Sequence, residues 1–311
     1  MQIQKISIIG AGAVGALYAY RFQEAFGTEN VRLIADASRK VRYDRDGFLL
    51  NGKRVDFTIV TPDMEVEPAD LVILATKNLQ LEEAVASIAK HVGSRTMILS
   101  LLNGIESEQR LAKAYGAEHM LWGFVTGLNS VHEGNSITFT QEGIIIFGEN
   151  DNARTERTEA LSEALARAHI NCRIPEDIHH EMWWKFMLNT GYNTLSAICR
   201  ANYGDCNAIA AFRDCVTMVF DEVVRVAAAE GVLFTEEDVE RIHATLAPLS
   251  HDGKTSMLQD IEAGRPTENN WFCGTVSRLG RKHGVQTPVC DFLSKLTQAS
   301  EQVQIRRRQG I

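Results

Sequence analysis

Between Lys5 and Phe26 the chain runs from a short apolar stretch straight into Gly10-Ala11-Gly12-Ala13-Val14-Gly15. It leaves as an amphipathic segment with Val14, Leu17, Ala19 and Phe22 near helical spacing. A G-x-G-x-x-G string alone is weak evidence; its weight comes from the order strand, glycines, helix. In that order the first glycine permits a tight turn, the second lets main chain approach a pyrophosphate, and the third lets helix and strand pack closely. The helix N-terminus then offers unpaired N–H groups and a positive dipole end to an anion. A ligand-free glycine turn is the plainer alternative. The same opening stretch resembles a signal peptide only superficially, because glycines at motif spacing interrupt its apolar run.

The following segments extend an alternating pattern. A strand over 30–34 ends at Asp36, where an acidic side chain hydrogen-bonds the ribose hydroxyls of NAD and repels the 2′-phosphate of NADP. Arg39, Lys40 and Arg42 follow closely and offer charge to that phosphate, or simply open a solvated helix, so cofactor choice stays open. The run over 70–76 is continuously apolar, as in a strand covered on both faces. A helix over 79–90 and a strand over 96–101 follow, and 121–147 reads as antiparallel strands turning at Glu133-Gly134-Asn135. Alternating strands and helices predict a doubly wound, mostly parallel sheet, whose ligands lie beyond the C-terminal strand ends. Lys77 and Asn103 stand at two such ends.

After Ile174-Pro175 the pattern becomes helical, giving a dinucleotide-binding domain over 1–174 and an all-α domain over 175–311. Helices are expected over 176–201 and 207–230, the second with Ile209, Phe212, Val216, Val219, Val223 and Val226 facing inward. Thr235 opens a capping box, and Thr287-Pro288 starts the last helix. The six cysteines, all in the second half, form no C-x-x-C pair and read as reduced thiols of a cytoplasmic protein rather than zinc ligands or disulfides. Net charge is −8, against a nucleic-acid partner; the basic Arg306-Arg307-Arg308 run reads as a solvated helix end. No apolar run reaches the roughly eighteen residues of a membrane span.

Two polar clusters interrupt these helices. Lys185, Asn189 and Asn193 recur every four residues amid Trp183, Trp184, Phe186, Met187 and Leu188, and so share one helical face. That face is either a solvated stripe or a polar cleft. In a cleft, a desolvated lysine serves as a proton donor while the asparagines orient a small polar substrate. Ser256 stands at an expected helix start suited to a carboxylate, and Glu268 at the start of the next helix, where the dipole favours its ionised form. Ordinary capping is the plainer account of both.

Together these residues resemble the ketopantoate reductase (2-dehydropantoate 2-reductase) family over nearly the whole chain. The resemblance is carried by the glycine fingerprint, A-T-K ending at Lys77, Asn103-Gly104, W-x-K-x-x-x-N over Trp183 to Asn189, and S-M-L-Q-D-I-x-x-x-R-x-T-E over Ser256 to Glu268. It implies a Rossmann domain followed by a helical domain, with Lys185 as general acid and Glu268 holding substrate and lysine. Asn189, Asn193 and Ser256 would bind the substrate, Asn103 would bridge substrate and cofactor, and Lys77 would lie near the cofactor. The implied reaction reduces the 2-keto group of ketopantoate with NADPH, a step toward pantothenate. Asp36 keeps NADH open as cofactor, and a homodimer is left open. The chain departs from the family pattern at Leu102, where glutamine is common, and over Asn269 to Gly274, where I-D-x-x-N-G is usual. Those departures fit the alternative of an NAD-dependent D-2-hydroxyacid dehydrogenase acting on another branched or aromatic 2-keto acid. A non-catalytic dinucleotide-binding regulator is the third reading, and one that would need neither Lys185 nor Glu268.

Overall fold

The computed structural model describes residues 2–308, and the chain divides into two units, Met1–His179 and His180–Ile311. The first unit contains strands β1 (Ile6–Ile9), β2 (Val31–Ile34), β3 (Phe48–Leu50), β4 (Lys53–Val55), β5 (Thr58–Val60), β6 (Leu71–Leu74), β7 (Met97–Ser100), β8 (Met120–Glu133), β9 (Ser136–Gly148) and β10 (Cys172–Arg173). Helices α1 (Ala13–Phe26), α2 (Ala37–Asp46), α3 (Leu81–Ser87), α4 (Ser107–Tyr115) and α5 (Glu156–Arg167) are interleaved with them. The strands form one sheet in the order β4-β3-β9-β8-β7-β6-β1-β2-β5, with β10 beside β9. From β5 to β8 every neighbour is parallel, and β8 then pairs antiparallel with β9.

The two-residue period of the strands explains the continuous apolar runs. Ile6, Ile8, Leu71 and Ile73 pack on one face with Leu17 and Phe22 of α1 and with Leu161 and Leu165 of α5. Ile9, Val72 and Leu74 pack on the other with Leu81 and Ala84 of α3 and Leu111 of α4. Each fully buried side chain of this size contributes about 1.5–3 kcal/mol relative to exposure. The expected turn at Glu133-Gly134-Asn135 joins β8 to β9, with Gly134 at φ +63°. The expected helix over 79–90 is shorter: a 3₁₀ turn at Asn78–Gln80 leads into α3, and a second 3₁₀ turn at Ala89–His91 follows. Strands β3, β4, β5 and β10 have two or three residues each, too few to show a period in the sequence.

The second unit is helical among its described residues: α6 (Ile178–Leu188, whose first two residues close the first unit), α7 (Thr194–Cys199), α8 (Tyr203–Ala208), α9 (Ala210–Ala229), α10 (Glu236–Leu246), α11 (Ser256–Ala263), α12 (Cys273–His283) and α13 (Pro288–Arg308). Phe212, Val216, Val219, Val223 and Val226 of α9 are buried as expected, but Ile209 is exposed because the chain breaks there between α8 and α9. Buried Glu222 accepts hydrogen bonds from the main-chain N–H groups of Val289 and Cys290, both at 2.8 Å, and so neutralises the start of α13. The expected helix over 176–201 is interrupted by a π-helical turn at Asn189–Asn193. No helix among the described residues is long and apolar enough to cross a membrane.

Candidate active site

Gly10, at φ +100°, turns the chain at the end of β1; a Cβ there would lie 2.5 Å from the Ala75 carbonyl oxygen. A Cβ on Gly15 would overlap the Gly10 carbonyl oxygen, so α1 closes on the turn only because Gly15 has no side chain. Gly12 is the N-cap of α1 and has no side-chain cap, and open space lies where its Cβ would be. Ala11, Ala13 and Val14 complete the turn, leaving the first N–H groups of α1 for an external acceptor. Lys77 and Asn103 follow β6 and β7 at the same end of the sheet as Gly10, where β1 lies between β2 and β6 and the order reverses. Buried Asn78 donates to the Asn103 carbonyl oxygen at 2.7 Å and joins those two strand ends. The Thr76 hydroxyl beside the turn is buried with no partner among the described residues. An open cradle over Gly12, uncapped N–H groups and an orphaned hydroxyl fit a bound dinucleotide.

Asp36 is the N-cap of α2. Its Oδ1 accepts from the Arg39 N–H at 2.8 Å and from the Ser38 hydroxyl at 2.7 Å. The Arg39 N–H, then the Ser38 hydroxyl, hold its carboxyl below the usual range and keep it ionised. Arg39 pairs with Asp36, Lys40 pairs with Asp44, and Arg42 lies over the Tyr43 ring. Two of the three cations considered for a 2′-phosphate are therefore engaged with carboxylates.

The polar face of the second unit is set by packing on its other sides. Trp184 donates to the Asp238 carbonyl oxygen at 3.0 Å under the Arg241 guanidinium, and Trp183 packs edge-on against Phe186, so the tryptophans anchor α6. In the π turn, Gly191 meets α9 so closely that a Cβ would lie 2.6 Å from the Phe220 ring. The Thr190 hydroxyl donates back to the Phe186 carbonyl oxygen at 2.7 Å, a bond that competes with the regular helix ladder. Buried Asn189 and Asn193 remain neighbours across this widened turn: Asn193 Nδ2 lies 3.4 Å from Asn189 Oδ1 and 3.3 Å from Ser256 Oγ. Ser256 is the first residue of α11 rather than its cap. Thr255 holds the cap, accepting from the Leu258 N–H and donating to Ser196 of α7.

Lys185 lies one turn before Asn189. Burial pulls its ammonium down to a pKa of about 8, against the opposing pull of the Glu268 carboxylate. Its side chain keeps some solvent accessibility, whereas Glu268 is buried. Glu268 precedes only a three-residue 3₁₀ turn, Asn269–Trp271, so the helix dipole expected to ionise it is small; Lys185 is its charged counterpart. The flanks of Glu268 are fixed: Thr267 bonds through N–H and hydroxyl to Glu301, and Asn269 donates to the Ser294 carbonyl oxygen at 2.9 Å. Lys185, with the Glu268 carboxylate as its charged counterpart, thus lies one helical turn from the contacting side chains of Asn189, Asn193 and Ser256.

Sequence reasoning missed Asn78 and Thr76, although polar residues after an apolar strand were the available signal. The buried hydroxyls of Ser100 and Ser107 behind Asn103 likewise carry no motif.

A family model described as "Ketopantoate reductase PanE/ApbA" matches residues 6–152, and its companion, "Ketopantoate reductase PanE/ApbA C terminal", matches 177–301. The chain is 28% identical to the 2-dehydropantoate 2-reductase of Lactococcus lactis, with 96% of this chain and 98% of that protein covered. Among solved structures it resembles D-mandelate dehydrogenase with NADH and anilino(oxo)acetate, at 28% identity and a TM-score of 0.88 over 96% of this chain and 98% of the other. It also resembles the 2-dehydropantoate 2-reductase of Geobacter metallireducens, at 26% identity and 0.85 over 95% and 99%. These full-length likenesses make it an NAD(P)-dependent oxidoreductase of the 2-keto/2-hydroxy acid couple. The chain belongs to the ketopantoate reductase PanE/ApbA family.

Proposed function

We propose that this protein interconverts a 2-keto acid bearing an aromatic or branched side chain and its D-2-hydroxy acid, with NAD(H) as cofactor. The observation that carries this reading is Asp36, held ionised at the end of β2, with Arg39 and Lys40 already engaged by carboxylates. A ribose diol accepts that environment and a 2′-phosphate is repelled by it. The likeness to D-mandelate dehydrogenase with NADH and an aromatic oxo acid supports the substrate class, as do the departures at Leu102 and over Asn269 to Gly274.

The main chain of Gly10, Ala11, Gly12, Ala13, Val14 and Gly15 would hold the pyrophosphate, Asp36 the adenosine ribose, and Lys77 with Asn103 the remaining half. When bound, the nicotinamide supplies or accepts the hydride at the carbonyl carbon. Lys185 donates its Nζ proton to the carbonyl oxygen, and its charge stabilises the developing alkoxide. Glu268 keeps the ammonium protonated against desolvation and orients it. Asn189, Asn193 and Ser256 bind the carboxylate end of the substrate, with N–H and O–H donors facing the acid.

The test is kcat/KM for phenylglyoxylate, a branched 2-keto acid and ketopantoate, each with NADH and NADPH. The reading expects NADH to be preferred and ketopantoate to be the poorest acid. Preference for ketopantoate with NADPH would instead make the protein a 2-dehydropantoate 2-reductase. Tight NADH binding without oxidation by any 2-keto acid would favour a regulator. Asp36→Ala is expected to raise the NADPH/NADH activity ratio about tenfold, through removal of one opposed charge near the 2′ position.

A further inference from the structure

Behind the segment that carries Asn103 lies a closed chain of polar groups. Glu108, on the first turn of α4, is 0% exposed. The Ser107 hydroxyl donates to its Oε2 at 2.9 Å, while Oε1 is buried without a partner among the described residues. Ser107 Oγ lies 2.7 Å from Ser100 Oγ at the end of β7, and Ser100 Oγ accepts from the Leu102 N–H at 3.3 Å. Leu102 is itself buried and adjoins Asn103, whose carbonyl oxygen is held from the other side by Asn78.

A buried carboxyl with one unsatisfied oxygen is costly, and beyond its own main-chain N–H its partner among the described residues is Ser107, which leads toward this strand end. Burial raises the Glu108 pKa to about 8 against the opposing bonds from its own main-chain N–H and from Ser107, which favours the neutral acid in this apolar layer. Without Glu108 the Ser107 hydroxyl loses its acceptor, and the hydroxyls no longer have one preferred arrangement in which Ser100 accepts from Leu102.

We infer that Glu108 is a positioning residue, which through Ser107 and Ser100 fixes the main chain at Leu102 and thereby the placement of Asn103 for the reaction. The inference rests on the proposed role of Asn103. Glu108 touches neither reactant.

The experiment compares wild type with Glu108→Leu, Glu108→Gln and Ser100→Ala. Amide exchange at Leu102 is read in the protein alone, and NADH affinity, kcat and KM are read with the best 2-keto acid. Glu108→Leu and Ser100→Ala are expected to speed Leu102 exchange at least tenfold and to lower kcat about tenfold, with NADH affinity within twofold because the glycine turn is untouched. Glu108→Gln, of the same shape and uncharged, is expected to restore both to within twofold. Unchanged exchange in both disrupting variants overturns the inference whatever the activity. Faster exchange with wild-type kcat, or a Gln variant as impaired as Leu, overturns the positioning role. A wild type that turns over no 2-keto acid defeats the functional reading alone, and Leu102 exchange then decides whether Glu108 anchors the segment.

Discussion

At the end of β1 the groups offered to a ligand are main-chain N–H donors, exposed because Gly10, Gly12 and Gly15 carry no side chains. On α6, the π turn and α11 they are all side chains: helix packing brings Asn189, Asn193 and Ser256 together, and Lys185 lies one turn away with Glu268 as its charged counterpart. The first kind of site is specified by local spacing, and its fold tolerates change wherever no Cβ collides. The second depends on four separate segments arriving in register, so each side chain carries chemistry that its neighbours cannot replace. The two units should therefore respond differently to substitution.

The largest effect is expected in the side-chain cluster. Lys185→Met should lower turnover by about two to four orders of magnitude, the range for losing a general acid, while NADH affinity measured by fluorescence stays near wild type. Weakened NADH affinity with turnover intact would reverse the roles assigned to the two units. The same lysine sets a pH dependence. Its pKa of about 8 leaves the ammonium protonated below that value, so reduction of the keto acid should be full there and fall about tenfold per unit above it. Lys185→Arg should abolish that inflection, because a guanidinium does not titrate in this range.

Next comes the main-chain site. Gly15→Ala places a methyl group onto the Gly10 carbonyl oxygen, so either the turn or α1 must shift. Overpacking of this kind costs about 1–3 kcal/mol, and NADH affinity should fall about tenfold or more. In contrast, Gly12→Ala meets no protein atom within 4 Å, so thermal stability should hold while NADH affinity drops. A loss of stability at Gly12 equal to that at Gly15 would show that the open space is not reserved for a ligand.

The same contrast governs what the sequence discloses. Glycines at fixed spacing after an apolar strand have few physical uses, so the turn, the parallel sheet and Asp36 at the end of β2 were all legible. Lys185, Asn189 and Asn193 were legible as a shared face because their four-residue spacing is local. The π turn that widens this face was not, since it arises where Gly191 meets Phe220 of α9 and Thr190 bonds back to Phe186. Glu108 was hidden for a related reason. In S-E-Q-R-L it reads as one more charged residue of an amphipathic helix, and only the tertiary fold buries it.

The smallest effect lies outside both sites and compares how the units hold their helices. Thr155 and Thr235 are N-caps of α5 and α10, each in a reciprocal capping box, with Thr158 and Asp238 respectively. They differ in what else the hydroxyl does: Thr155 also donates to Glu149 at 2.7 Å, whereas Thr235 donates to Asp238, a member of its own box. Thr235→Ala should therefore cost about 1 kcal/mol, the usual value of a cap, and speed amide exchange only in the first turn of α10. Thr155→Ala should cost more, because Glu149 is also released and its partner Arg157 lies on the same helix. Thr155→Ser, which keeps the hydroxyl, should recover most of the loss. Equal costs for the two alanine variants in chemical denaturation would mean that the Glu149 bond adds nothing to the cap.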